Sequence, residues 1–144
     1  TYWYNGHIYG TEISRGLDVF ALQSSDYLSE NEIAAASLPE LNGIVNAQTQ
    51  KIVEWPAVPV VARAYMDQLQ RDNRLSANQA NELSDALERA EALLAGEKGN
   101  RRSTVRALNN LADDFSEVAV DFNGISRVRY ASLAETLEGI ADSL

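Results

Sequence analysis

Cysteine is absent from this 144-residue sequence, and histidine occurs once, as His7. The absence of cysteine excludes disulfide bonds, thiolate metal ligands and a cysteine nucleophile from the chain. Any imidazole base or ligand would have to be His7. No apolar run approaches the roughly 18 residues that a helix needs to cross a bilayer, and no stretch has the pattern of a signal peptide. We therefore expect no membrane-spanning segment.

Basic residues are scarce, with 12 Lys and Arg against 21 Asp and Glu and a formal net charge of −9. Excess negative charge repels the phosphates of nucleic acids and anionic lipid headgroups. The sequence also lacks the stripe of interleaved aromatic and basic residues that is typical of nucleic-acid-binding proteins. We expect no nucleic-acid partner.

The β signals are confined to the first 22 residues. Asn5-Gly6 separates two aromatic-rich runs, which is the strongest short-range signal for a β-hairpin. A second turn at residues 14–16 leads into a third apolar run over residues 17–22. The pattern predicts a three-stranded antiparallel ribbon with open edges. Because such a ribbon leaves an edge and a face uncovered, we interpret it as the end of a sheet that starts elsewhere, and the start at Thr1 rather than at Met agrees with this interpretation.

Large rings are predicted on both faces of this ribbon. Strand alternation places Tyr2 and Tyr4 on one face and Trp3 on the other. Either protein outside this chain covers the ribbon, which we favour, or a proline-rich strap that carries Trp55 folds over one face. The predicted partner-binding residues are Tyr2, Trp3, Tyr4, Tyr9 and Trp55.

A short helix and an irregular strap are predicted to follow the ribbon. Ser29 and Glu32 have the spacing of a capping box, so a helix is expected over residues 30–37, ending before Pro39. Gly43 and Asn46 mark turns, a short extended piece is expected over residues 51–55, and prolines stiffen residues 55–59. We place the division between two domains after this strap, at residues 1–57 and 58–144.

Four amphipathic helices are predicted in the second domain, from apolar residues that repeat with a helical period. They span residues 59–75, 77–95, 103–120 and 125–144, with Ser76 as a cap and with Leu94 and Val128 among the inward residues. Short loops between helices of this length predict an antiparallel four-helix bundle. The predicted fold class is α+β, mainly α: an N-terminal three-stranded antiparallel ribbon followed by the bundle.

Acidic residues cluster on the third bundle helix, at Asp113, Asp114 and Glu117. Paired carboxylates can catalyse acid–base chemistry when a cleft holds them apart at a fixed distance. At these spacings they are predicted to lie on the solvated side of the helix. His7 is predicted to be a turn or sheet-surface residue. We therefore predict no catalytic residue and no cofactor.

Residues 121–124 (Asp-Phe-Asn-Gly) resemble the middle of a calcium-binding EF-hand loop. Aligned on Gly124, the two acidic end positions that such a loop requires are Ala119 and Tyr130. A turn between two helices explains these residues better, and no metal site is predicted. Arg101, Arg102 and Arg106 lack a glycine-rich phosphate cradle, and they are interpreted as a loop anchor or as partners of the acidic helices.

Two runs, Tyr4-Asn5-Gly6-His7-Ile8-Tyr9 and Arg15-Gly16-Leu17-Asp18-Val19, resemble the final blade segment of bacterial secreted LVIVD-repeat β-propeller proteins. Residues 28–33 and 52–56 are similar to the tail that follows the propeller in that family. The bundle is similar to the helical module that ends many such proteins, and to the FIMAH helical domain of secreted bacterial enzymes. The resemblance implies an extracytoplasmic location and supplies no catalytic residues.

Our leading hypothesis is a non-catalytic interaction or structural module of an exported bacterial protein. Its partner would be another protein or the missing propeller blades, bound through the aromatic ribbon or the helical bundle. A second version is an accessory subunit of a larger cell-envelope complex. The alternative from another class is part of a secreted hydrolase that uses His7 or the acidic cluster.

Overall fold

The computed structural model describes residues 1–39 and 53–144. The fold is α+β and mainly helical, as predicted, with a three-stranded antiparallel sheet followed by five helices. Contacts divide the chain into two compact units, Thr1–Pro56 and Ala57–Leu144; the predicted division fell one residue later. The predicted turns at Gly43 and Asn46 and the start of the predicted extended piece lie outside the described residues.

The first unit contains the sheet and one helix. The sheet comprises β1 (Tyr2–Tyr4), β2 (His7–Glu12) and β3 (Gly16–Ala21), and α1 spans Glu30–Ser37. The second unit contains α2 (Pro59–Arg71), α3 (Ala77–Leu94), α4 (Arg101–Val120) and α5 (Gly124–Ser143). Within the described residues, no helix combines the length and apolar character needed to cross a lipid bilayer.

The Asn-Gly pair forms the predicted hairpin turn between β1 and β2. Asn5 and Gly6 have φ values of +44° and +83°, and a two-residue hairpin turn with two positive φ values matches the twist of the flanking strands. The turn fixes the register, in which Tyr4 pairs with His7. β2 then pairs with β3, so that Ile8 lies opposite Phe20.

Two helices begin with a capping box. The Ser29 hydroxyl accepts from the Glu32 backbone N–H at 3.1 Å, and the Glu32 carboxylate accepts from the Ser29 N–H at 2.7 Å. Ser76 and Gln79 make the equivalent pair at the start of α3. Each box satisfies two backbone donors that a helix start leaves unpaired. Both predicted caps are therefore confirmed.

The four helices of the second unit surround one apolar core. Each packs against two others, in the cyclic order α2, α3, α4, α5. The predicted stripes supply most of the core: Ala80, Leu83, Leu87, Leu108, Leu111, Phe115, Leu133, Leu137 and Ile140.

Two residues that were predicted to face inward are exposed. Leu94 is the last residue of α3 and extends past the buried stripe. Val128 lies five residues before the buried Leu133, a spacing that rotates it away from the core by about 140° at 3.6 residues per turn. Tyr130, three residues before Leu133, is buried in the core.

Tyr130 joins the end of α2 to α5. Its hydroxyl donates a 2.6 Å hydrogen bond to the backbone carbonyl of Arg74, and its ring stacks on Phe122 with 5.3 Å between centroids. Burial raises the pKa of Tyr130, while the positive charge of Arg74 opposes this shift. This hydrogen bond provides a donor for the Arg74 carbonyl, which lies just after the end of α2.

The Tyr130→Phe variant is expected to lose about 0.5–1.5 kcal/mol of stability at pH 7, because the Arg74 carbonyl loses its donor. The pKa of Tyr130 is raised in the folded state, so its stabilising contribution is complete below its unfolded pKa of about 10. That contribution is lost as pH rises through the folded pKa. Urea unfolding between pH 7 and 11 should therefore show a weaker alkaline loss in the variant. Tyr27→Phe, at an exposed tyrosine, serves as the control, and an unchanged alkaline slope in Tyr130→Phe would contradict this assignment.

Candidate protein-interaction surface of the sheet

Cross-strand pairing sorts the side chains of the sheet onto two faces. Tyr2 pairs with Tyr9, and Tyr9 pairs with Val19, so these three share one face. Residues two positions apart on a strand point to the same side. The face that we call the tyrosine face therefore carries Tyr2, Tyr4, His7, Tyr9, Leu17 and Val19. The opposite face, the tryptophan face, carries Trp3, Ile8, Gly10, Asp18 and Phe20.

The tyrosine face is open to solvent in the described part of the first unit. Tyr2, Leu17 and Val19 are 59%, 60% and 53% exposed. Tyr4 and Tyr9 are half-buried, and their rings pack edge to face with 6.3 Å between centroids. Contiguous exposed apolar side chains are rare on soluble monomers and mark interaction sites. The tyrosine face thus has the composition of a binding surface.

The tryptophan face borders an apolar groove. The groove has a volume of about 250 Å³ and is lined by Trp3, Leu22, Ala36, Pro39, Val53 and Trp55. Because Ala36 belongs to α1, this helix lies on the tryptophan side of the sheet. Trp55 comes together with Trp3 and not with the tyrosines. The five predicted partner-binding residues therefore occupy two surfaces.

The strand order leaves both outer strands at sheet edges. The order is β1-β2-β3, so β1 and β3 each have one neighbour within the described residues. Tyr4 and His7 flank a two-residue turn, so the backbone N–H and C=O groups of one point at those of the other. Alternation then directs the backbone of Ile8 toward Phe20 and that of Val19 away from the sheet. The outer edge of β3 therefore presents backbone donors and acceptors that pair with no other described strand.

β3 has few of the features that protect an edge strand from pairing. Natural edge strands are usually short or carry proline, lysine or a bulge. The six residues of β3 include neither proline nor lysine, and all but Asp18 are exposed. An exposed apolar edge of this kind is a template for a further strand.

None of the candidate catalytic groups belongs to a reactive arrangement among the described residues. The exposed His7 has its Nδ1 3.3 Å from the Asn5 carbonyl oxygen, within the hairpin turn. Asp113, Asp114 and Glu117 are exposed on α4. Among the described residues, no three His, Cys, Asp or Glu side chains are placed to hold a metal ion.

The residues that resemble an EF-hand loop form the turn between two helices. Asp121 caps the end of α4, and Gly124 begins α5 with a φ of +63°. A positive φ costs little only for glycine. The positive φ explains why glycine occupies position 124, and no metal ion is needed to explain it.

Three exposed residues of β3 were not among the predicted partner-binding residues: Leu17, Val19 and Phe20. The third strand was predicted, but its side chains were not assigned to faces. The hairpin register could have assigned them, because extending the pairing across β2 places Val19 beside Tyr9. Leu17 and Val19 extend the tyrosine face to the outer edge of the sheet, and Phe20 lies on the tryptophan face.

The chain matches no protein-family model, curated protein or solved structure. The resemblance to LVIVD-repeat propellers therefore stays a prediction.

Proposed function

We propose that this chain is a non-catalytic interaction module whose sheet is completed by protein outside the chain. The observation that carries the proposal is the coincidence of an unprotected β3 edge with the exposed Leu17 and Val19, of which Val19 pairs with Tyr9. A strand added at this edge would gain backbone hydrogen bonds from the edge and apolar contacts from the tyrosine face.

The added protein is, in this proposal, a partner or the remaining blades of a β-propeller. Large side chains on both faces of a sheet suit a blade that lies between neighbouring blades. Location outside the cytoplasm belongs to the same proposal and rests on the resemblance of residues 1–56. An accessory subunit of a cell-envelope complex would use the same edge.

The helical unit has a supporting role in this proposal. Its four helices are proposed to form an antiparallel bundle with a closed apolar core. Neither His7 nor the acidic residues of α4 are assigned a catalytic role.

The test is the native mass of the chain in the organism that makes it. Size-exclusion chromatography with light scattering gives the mass, and mass spectrometry identifies the co-eluting proteins. We expect the wild-type chain in a complex with a different protein, well above its own 15.8 kDa. The Leu17→Asp/Val19→Asp variant should leave that complex, because charges would lie against the added strand.

The matched control is Ile125→Asp/Val128→Asp, at two exposed apolar residues of α5. It introduces the same charges on the other unit and should stay in the complex. Circular dichroism checks that both variants are folded. Recovery of the wild-type chain without another protein would refute the proposal, as would equal loss of the complex in the two variants.

A further inference from the structure

The outward face of α4 carries its charges in two separate blocks. Basic residues occupy its first two turns and acidic residues its last two. Helical spacing places one row opposite the buried Leu108 and Phe115. This row, which we call the α4 stripe, consists of Arg102, Arg106, Asn109, Asn110, Asp113 and Glu117, all exposed.

These charges oppose the dipole of their own helix. A helix start carries partial positive charge and favours acidic residues, while a helix end favours basic residues. α4 begins with Arg101 and Arg102, has no acidic residue in its first turn and no basic residue in its last turn. α1, by contrast, begins with Glu30 and Glu32. The charge pattern of α4 therefore destabilises the isolated helix.

No neighbouring side chain of the described chain neutralises the stripe. Ion pairs of the described residues include those of Arg15 with Glu12 and Asp18, of Arg63 with Glu91, and of Arg129 with Asp72. None includes a residue of the stripe. The predicted pairing of Arg102 and Arg106 with the acidic helices is thus not found among the described residues.

We propose that the α4 stripe binds the α4 stripe of a second copy of this chain, in antiparallel orientation. The basic and acidic blocks are symmetric about the point between Asn109 and Asn110. A two-fold axis there places Arg106 of each copy opposite Asp113 of the other, and Arg102 opposite Glu117. The contact is self-complementary, as a two-fold interface must be.

The same arrangement explains the reversed charges. In an antiparallel pair, the basic block of one helix lies beside the negative end of the other helix, and the acidic block lies beside the positive end. The charges that destabilise one α4 thus stabilise the pair. Because the stripe has no apolar centre and exposed ion pairs are weak, we expect weak association that salt disrupts. This inference rests on α4 alone and does not depend on the proposed function of the sheet.

The test is sedimentation velocity of the whole 144-residue chain. Wild-type protein should form a concentration-dependent dimer at about 20 mM salt and be monomeric at about 0.5 M, where the screening length is much shorter. Arg102→Glu/Arg106→Glu makes the whole stripe acidic, and Asp113→Arg/Glu117→Arg makes its charged residues basic. Each variant alone should dimerise at least tenfold more weakly than wild type.

The decisive experiment is to mix the two stripe variants. An acidic stripe opposite a basic stripe gives four attractive pairs, so the mixture should form a heterodimer that is at least tenfold tighter than the dimer of either variant alone. Lys98→Glu/Arg127→Glu and Glu135→Arg/Glu138→Arg make the same changes in net charge at exposed sites off the stripe. Because these controls keep the wild-type stripe, each should dimerise as the wild type does. Mixing them should not increase the association.

Three results would overturn the proposal. They are a wild-type chain that stays monomeric at low salt, undiminished dimerisation of either stripe variant, and a mixture of the two stripe variants that associates no more strongly than each variant alone. The thermal unfolding midpoint checks that each variant is folded. This midpoint should not fall in Arg102→Glu/Arg106→Glu, since acidic residues stabilise the start of a helix such as α4.

Discussion

Replacing Phe115 with alanine is expected to lower the free energy of unfolding of the helical unit by about 3–5 kcal/mol. The side chain is 1% exposed and lies in the shared core of the four helices. Its ring is 6.0 Å from that of Tyr130, measured between centroids. Removing it takes away apolar contacts and leaves a cavity that surrounding helices fill only in part.

Urea unfolding followed by circular dichroism at 222 nm measures this loss, because the helices dominate that signal. Phe20→Ala is the control, since it removes the same side chain from a half-exposed position in the other compact unit. It should leave the free energy of unfolding of the helices unchanged within about 0.5 kcal/mol. A loss below about 1 kcal/mol for Phe115→Ala would contradict the packed position of the ring.

Gly139→Ala is expected to destabilise the helical unit by up to about 2 kcal/mol. A Cβ atom at Gly139 would lie 2.4 Å from the Cβ of Ala57, closer than any real contact. Ala57 lies between Pro56 and Pro59, and prolines limit how its backbone can yield. Overpacking costs about 1–3 kcal/mol, whereas alanine gains about 1 kcal/mol over glycine inside a helix.

Moving the methyl group from one residue to the other tests this contact directly. The Ala57→Gly/Gly139→Ala double variant removes the clash and keeps the helix-forming alanine in α5. Its free energy of unfolding should return to that of wild type or exceed it. Ala57→Gly alone measures the cost of the glycine. If Gly139→Ala by itself stabilises the protein, then the helix preference outweighs the clash and the close approach is not tight.

The local elements were predictable because their signals lie within a few residues. Asn5-Gly6 fixes a hairpin turn through backbone preference alone. Ser29 with Glu32, and Ser76 with Gln79, form capping boxes within single helical turns. The helical stripes follow from the 3.6-residue period, so most of the core was predictable too. Val128 was misassigned because a spacing of five residues does not keep one helical face.

Local preferences in the sequence were enough to predict the three strands, the five helices and the aromatic character of the ribbon. Packing between distant elements places Trp55 with Trp3, leaves Tyr2 exposed with Leu17 and Val19, and brings Tyr130 to the Arg74 carbonyl. These outcomes depend on residues far apart in the chain. Turn and helix preferences act over about four residues, whereas burial is decided by which faces of distant elements meet.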